Sequence, residues 1–469
     1  MGKRGTYSEN FSYSEEFCDL DFGDVRLNAR FVKVIENFQE RPSGLIQTSQ
    51  VSWAEMMAAY RLLDNSRVSV DEILRTHREQ TLARMSLYDR VLAIQDTTTL
   101  SYASLLATEG LGSSAMGNFG RGRGLFLHTT LATTIQGTPL GILGQTMWSR
   151  GILKPGDELY DTERLRWHKG ISHAAHGNFT EVICVSDREA DGADYFALSS
   201  REGVKFVVRA KEKLRKSAIH KGRLIASIVG EQPEAGVLRL VVRTQKRRKK
   251  GDKKQRPRYT RTAELTVRFC EVQVHSDTVL SPRATPSECK IRAVLVEEKN
   301  PPEDFKPACW LLFTNLPVST FEEAKEVIEI YKVRWEIETF HKILKSACRV
   351  ESAQLEHVDR LKRLITMLSI VGWRLHVLTK LQRENPNLPC TEVLSDDEWK
   401  TLYIAVKKSR DLPKKPPSLR QATLWIAQLG GYLGRKCDGE PGPLVLSRGW
   451  SRLIHYVEMH HTLKDVYKR

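Results

Sequence analysis

Four side chains able to handle phosphate or a proton sit at helical spacing in "YKVRWEIETFHKILK", residues 331–345. Tyr331, Arg334, Glu338 and Lys345 follow one another at offsets of three, four and seven. At 3.6 residues per turn they share about 60° of arc. Ile337, Phe340, Ile343 and Leu344 lie on the opposite side, which would be buried. Taken alone, this is an amphipathic helix with a charged outer face. Two further carboxylates share one local pattern: Asp96 follows the apolar run 91–94 by two positions, and Asp187 follows the run 182–185 by the same two. Singly, an aspartate at a strand end is usually a turn or cap residue. If both runs are core strands pointing the same way, the two carboxylates emerge at one edge of a sheet. A third carboxylate from a helix packed nearby makes an oxygen-rich pocket, the donor set that hard divalent cations such as Mg²⁺ require. Two such ions about 3.5–4 Å apart activate an attacking oxygen and stabilise a leaving one in phosphodiester chemistry.

The elements needed to position these groups are legible. From residue 90, "VLAIQDTTTLSY", "LFLHTTLATTI" and "LGILGQTMW" read as strands, followed by a helix near "TERLRWHKGISHAA". "EVICVSDREADGADYFALSS" is a buried strand running into a helix, and "KFVVRAK" is another strand. Together they predict a mixed α/β sheet. Upstream, "DVRLNARFVKVIENFQERP" predicts a helix capped by Asp24 and stopped before Pro42, with Leu27, Phe31, Val34, Ile35 and Phe38 as its apolar stripe. Arg26, Arg30 and Lys33 form a basic stripe on another face. Capping boxes at Ser52/Glu55 and Ser69/Glu72 open two more helices. Residues 1–70 hold 8 basic and 10 acidic residues, so any contact with a polyanion there must come from the placed stripe.

Residues 212–308 contain the run "RTQKRRKKGDKKQRPRYTR", flanked by the alternating strands "GVLRLVVRT" and "AELTVRFCEVQV". This predicts an inserted β-hairpin domain tipped by a basic loop that contacts phosphate. From about 372 the pattern is helical. Lys and Arg outnumber Asp and Glu by 73 to 57, for a net charge of +16 and a pI near 9.4. A chain this basic usually meets a polyanion, most often nucleic acid. An acidic membrane surface competes less well, because the best apolar run, "LITMLSIVGW", is too short to span a bilayer. Eight scattered cysteines with no C-x-x-C pair argue against a zinc ribbon and fit reduced thiols.

"QDTT" with Asp96, "SDREAD" with Asp187 and the Y-x2-R-x3-E-x6-K spacing of 331–345 resemble, in order, the DDE cut-and-paste transposases of bacterial insertion sequences, in the subgroup with the Y-R-E-K signature. "FGDVRLNAR" resembles that family's end-recognition helix, and "LGGYLGRK" with "RGWSRL" its C-terminal helical domain. The resemblance implies an α/β fold with an RNase H-like catalytic core over 71–371, carrying a β-rich insertion at about 212–308. A helical end-recognition domain, 1–70, precedes it and a helical dimerisation domain, 372–469, follows. Asp96, Asp187 and Glu338 would be the catalytic and metal-binding triad, with Mg²⁺ as cofactor and Mn²⁺ as substitute. DNA contacts would come from Arg26, Arg30 and Lys33 in the N-terminal stripe, and from Arg209, Trp310, Tyr331, Arg334 and Lys345 near the cut. Trp310 would stack on an extruded base, although a Trp inside "CWLLFTN" is more often a core residue. The implied activity is nicking of the element's end, hairpin formation by the freed 3′-hydroxyl, reopening by water, and strand transfer. The implied partners are double-stranded transposon ends and target DNA, bridged by a homodimer at the nucleoid in the cytoplasm, with no membrane and no small-molecule cofactor. A nuclease without strand transfer and a non-catalytic DNA-binding regulator are the alternatives.

Overall fold

The structure is a computed structural model that describes residues 11–113, 122–150, 162–175, 180–211, 223–245, 258–275, 288–409, 411–435 and 438–467. The tip of the basic run, 246–257, lies outside the described residues. In chain order, five helices come first: α1 (Tyr13–Glu16), α2 (Val25–Glu40), α3 (Ile46–Ser49), α4 (Trp53–Asp64) and α5 (Val70–Met85). Strands β1 (Arg90–Ser101), β2 (Gly124–Thr134) and β3 (Pro139–Trp148) follow, then α6 (Thr162–Ala174), β4 (Glu181–Ser186), α7 (Ala193–Arg201) and β5 (Lys205–Arg209). Next are α8 (Ile225–Gly230), β6 (Gly236–Gln245), β7 (Arg258–His275), β8 (Glu288–Glu298) and β9 (Cys309–Thr314). The chain closes with α9 (Phe321–Val333), α10 (Trp335–Ser346), α11 (Val358–Glu384), α12 (Asp396–Lys407), α13 (Leu419–Leu429) and α14 (Pro443–Tyr467).

These elements form two compact units: one of residues 1–89, 97–163 and 336–469, the other of residues 90–96 and 164–335. The chain of β1 passes from one to the other. In the first unit β2 and β3 form an antiparallel pair, and β2 is buried along its whole length. α2 forms as its pattern predicts. Gly23 takes the left-handed turn, Asp24 accepts the Arg26 N–H at 2.9 Å, and the five apolar stripe residues are buried. Ser52 and Ser69 cap their helices, but only half of each expected box forms. The Glu55 carboxylate takes the Val51 N–H, and Glu72 turns to Arg75 and the Asp21 N–H. Reciprocal boxes occur instead at Thr320/Glu323 and Ser395/Glu398.

α11 runs through the middle of this unit, against α2, α4, α5 and β3. It is a single helix of 27 residues, so the boundary expected at 371/372 falls inside it. By length and composition it is also long and apolar enough to cross a bilayer, unlike the ten-residue run noted in the sequence. Most of its apolar window is buried within the unit, which accounts for that composition.

In the second unit the strand order is β1-β4-β5-β9-β8-β7-β6, parallel across β1, β4 and β5 and antiparallel beyond. The inserted region differs from the expected hairpin in two ways. It contributes a third strand, β8, and it extends the core sheet through the β8–β9 pairing. β8 carries no alternating strand pattern because its apolar residues fall on both faces: Ile291, Ala293 and Leu295 alternate with Val294 and Val296, and all are buried. Strict alternation is a property of strands with one wet face.

Candidate active site

β1 and β4 pair in parallel with a constant register, from Arg90 opposite Glu181 to Ile94 opposite Val185. Asp96 and Asp187 each stand two residues beyond that last aligned pair, so the two carboxylates come level, as expected. β4 in turn aligns Ser186 with Val208 of β5, which brings Arg209 level with Asp187. One row across three neighbouring strands, at the carboxyl ends of β4 and β5, therefore reads Asp96, Asp187, Arg209. At a strand spacing of about 4.8 Å the row spans roughly 10 Å. Arg209 also donates to the Cys309 carbonyl at 3.4 Å. β1 continues through Asp96 to Ser101, whereas β4 ends at Ser186. Asp187 is both the expected cap and a level partner of Asp96: its Oδ1 accepts the Glu189 N–H at 2.9 Å and opens a short 3₁₀ turn, 188–190.

The stretch 331–345 is helical, but not as one helix. α9 ends at Val333 and α10 begins at Trp335. Arg334 between them keeps right-handed helical torsions, and its N–H tightens onto the Tyr331 carbonyl at 3.1 Å. The Arg334 side chain, largely buried, reaches within 3.8 Å of the Asp96 carboxylate. That ion pair was not apparent in the sequence, because no local spacing connects a helix end to a strand more than two hundred residues earlier. Tyr331 is buried, and its ring centroid lies 6.4 Å from that of Trp310. Trp310 itself is half-buried, whereas residues 311–314 of β9 are buried. The core fate that its strand context favoured is not the one it has.

Glu338 and Lys345 are partly exposed on α10, while Ile337, Phe340, Ile343 and Leu344 are fully buried. α10 packs on α11 where Gly372 faces Phe340, Ile343 and Cys348. A buried clamp fixes its first turn. Glu336 lies 2.9 Å from His376 Nε2 and 2.8 Å from Lys380 Nζ, both on α11. Burial opposes the Glu336 charge, but these two partners outweigh it and hold the carboxyl below its usual range. Among the described residues no three His, Cys, Asp or Glu side chains converge on one point. What the second unit assembles is the aspartate pair. Its all-oxygen donor set fits a hard divalent cation and offers nothing to a thiophilic one.

Arg26, Arg30 and Lys33 are all exposed on α2, with Arg26 almost completely so. "LWIAQL" of α13 is mostly buried against α12 and α14.

A mixed sheet with level acidic residues on adjacent parallel strands, Asp96 within β1 and Asp187 just past β4, flanked by helices, is an RNase H-like catalytic core. Three family models match successive parts of the chain: a transposase DNA-binding model at residues 12–68, a transposase DDE domain at 163–371, and a transposase Tn5 dimerisation domain at 370–466. The chain belongs to the insertion-sequence DDE transposases. Asp187, Arg209, Trp310 and the whole 331–345 signature lie within the DDE match, and Asp96 lies before it. The DNA-binding and dimerisation matches stand on either side of the DDE match, and the last junction falls at 370–371, inside α11.

Proposed function

We propose that this transposase, of the Y-R-E-K subgroup, cuts at the ends of its element with Asp96, Asp187 and Glu338 as its carboxylate triad. It passes through a hairpin intermediate and joins the excised DNA to a target as a homodimer bridging two ends. The observation that carries the reading is the level row of Asp96, Asp187 and Arg209, in a chain of this family. The triad carboxylates would hold Mg²⁺, or Mn²⁺ in its place, which supplies Lewis-acid stabilisation of phosphoryl charge and a nucleophilic oxygen at neutral pH. The protein's own groups do the rest. Arg334 balances Asp96 and, with Tyr331, Lys345 and Arg209, grips the phosphates beside the cut. Trp310 offers its face to an extruded base, and such stacking contributes about 1–3 kcal/mol per base. Arg26, Arg30 and Lys33 bind the end repeat.

The test is incubation with DNA carrying the element's own flanking repeats and Mg²⁺, scoring nicks, hairpins and joined products. Alanine at Asp96, Asp187 or Glu338 is expected to abolish cleavage while leaving folding and end binding nearly intact. Substantial nicking by Glu338→Ala rules out the triad. Nicks without hairpins or joining mark a nuclease instead.

A further inference from the structure

The residue immediately before each aspartate is buried and turned toward one hydroxyl. Continuing the β1–β4 register by one step sets Gln95 beside Ser186. Gln95 Nε2 donates to the Tyr195 hydroxyl oxygen at 3.4 Å, and Ser186 Oγ lies 3.2 Å from that same oxygen. Gln95 and Ser186 are fully buried, and Tyr195, on α7, is nearly so. The Cys184 thiol bonds to Gln95 and Tyr195 as well. A tyrosine hydroxyl has one proton and two lone pairs, so it can serve both strands at once. Burial pushes its pKa well up, which keeps the proton in place. From α6, Gly170 presses on the same carboxamide: a Cβ there would stand 2.1 Å from Gln95 Oε1. The amide is thus held between α6 and α7.

A core does not need this arrangement. Apolar side chains would fill the space without polar groups that must each be satisfied. Its position supplies the reason. Successive side chains on a strand point to opposite faces, so fixing Gln95 and Ser186 behind the sheet fixes Asp96 and Asp187 in front. We infer that Tyr195 is a positioning residue whose hydroxyl ties β1 to the end of β4, through Gln95 and Ser186, and sets the spacing at which the two aspartates hold a divalent ion. The inference rests on the metal-binding role proposed above for those aspartates.

The experiment uses full-length Tyr195→Phe and Ser186→Ala. Mn²⁺ binding is followed by paramagnetic resonance of the free ion without DNA, and beside it the Mn²⁺ dependence of end cleavage and the thermal melt. Both variants are expected to fold and to bind end DNA. Both are expected to need about tenfold more Mn²⁺ for half-saturation, in binding and in cleavage alike, with the cleavage rate recovering at saturating Mn²⁺. An unchanged Mn²⁺ dependence overturns the inference. So does a cleavage defect that saturating Mn²⁺ fails to restore, since a merely loosened core gives that result. If Tyr195→Phe does not fold, the smaller Ser186→Ala change decides. Asp187→Asn, run in parallel, separates the two readings. Wild-type Mn²⁺ binding and cleavage by Asp187→Asn sinks the proposed site itself. Loss of both there, with Tyr195→Phe unchanged, sinks only the tie.

Discussion

Trp310, the second residue of β9, is half-buried beside Tyr331, and the four residues after it in the strand are buried. Its removal therefore separates packing from chemistry. A buried Trp replaced by Ala costs about 3–5 kcal/mol, and Trp310→Ala is expected to cost less and to keep its fold. It should nick normally and stall before the hairpin, with an abasic site at the extruded position partly restoring the reaction. Extrusion itself costs a few kcal/mol of unstacking, which the ring would offset. Early melting together with joint loss of nicking and hairpinning would return Trp310 to a packing role. Arg334 shows the same economy of position. The one-residue junction between α9 and α10 lets its side chain reach Asp96 while the flanking helices stay packed.

At the level of elements, α1 is anchored by a buried charged cluster. Glu16 Oε1 lies 2.5 Å from His77 Nδ1, and the Arg84 fork takes both carboxylate oxygens at 2.7 and 3.0 Å. Arg84 also stacks on Trp373 at 4.6 Å. The Ile142 N–H donates to His77 Nε2 at 2.9 Å, which leaves the ring proton on the nitrogen facing Glu16. Burial opposes the Glu16 charge, yet its partners hold the carboxyl at about 2, down from 4.5. Burial likewise holds His77 below 6.5, against the pull of Glu16. Both groups lose stabilisation as pH falls: the unfolded chain protonates His77 below about 6.5 and Glu16 below about 4.5, before the folded protein does. The melting temperature should be flat near neutrality, decline below pH 6.5 and drop further between 4.5 and 2. Glu16→Gln should melt lower at pH 7 and lose the last phase of that decline. An unaltered profile in that variant would remove the cluster as the cause. On α2, Arg26→Ala with Arg30→Ala should weaken end binding. A base-edge contact costs about 1–3 kcal/mol and relaxes specificity, whereas a phosphate contact weakens all sequences alike. Unchanged affinity in a gel-shift titration would take the stripe off the DNA.

For the whole molecule, the C-terminal helices matter through what they leave uncovered. α14 buries Leu453 and Ile454 but exposes Tyr456, Met459 and Leu463, at 46%, 58% and 44%. Their spacing places them in one stripe. Deleting residues 385–469 is a blunt test of pairing, because Leu375 and Leu378 of α11 share an apolar pocket with Leu419, Ile426 and Trp450. Tyr456→Glu with Met459→Glu is sharper. Folding and single-end binding should survive, and paired-end complexes should disappear from native gels. Normal paired-end cleavage by that variant would place the dimer contact elsewhere.

Local order was what the sequence determined: the apolar stripe of α2, the Asp24 cap, the strand leading to each of Asp96 and Asp187, and the buried face of α10 all follow from short-range period and turn chemistry. The level placement of Asp96 and Asp187 was a conditional reading, since it needed two strands to be neighbours and parallel. Only the tertiary structure decided that, because register is fixed by burial and by the connections between strands rather than by either strand alone. The same holds for the Arg334–Asp96 pair, for the Glu336 clamp and for the hydroxyl of Tyr195 behind the two aspartates. Each joins residues far apart in the chain, and no local pattern carries a contact whose partners are brought together only when the core closes.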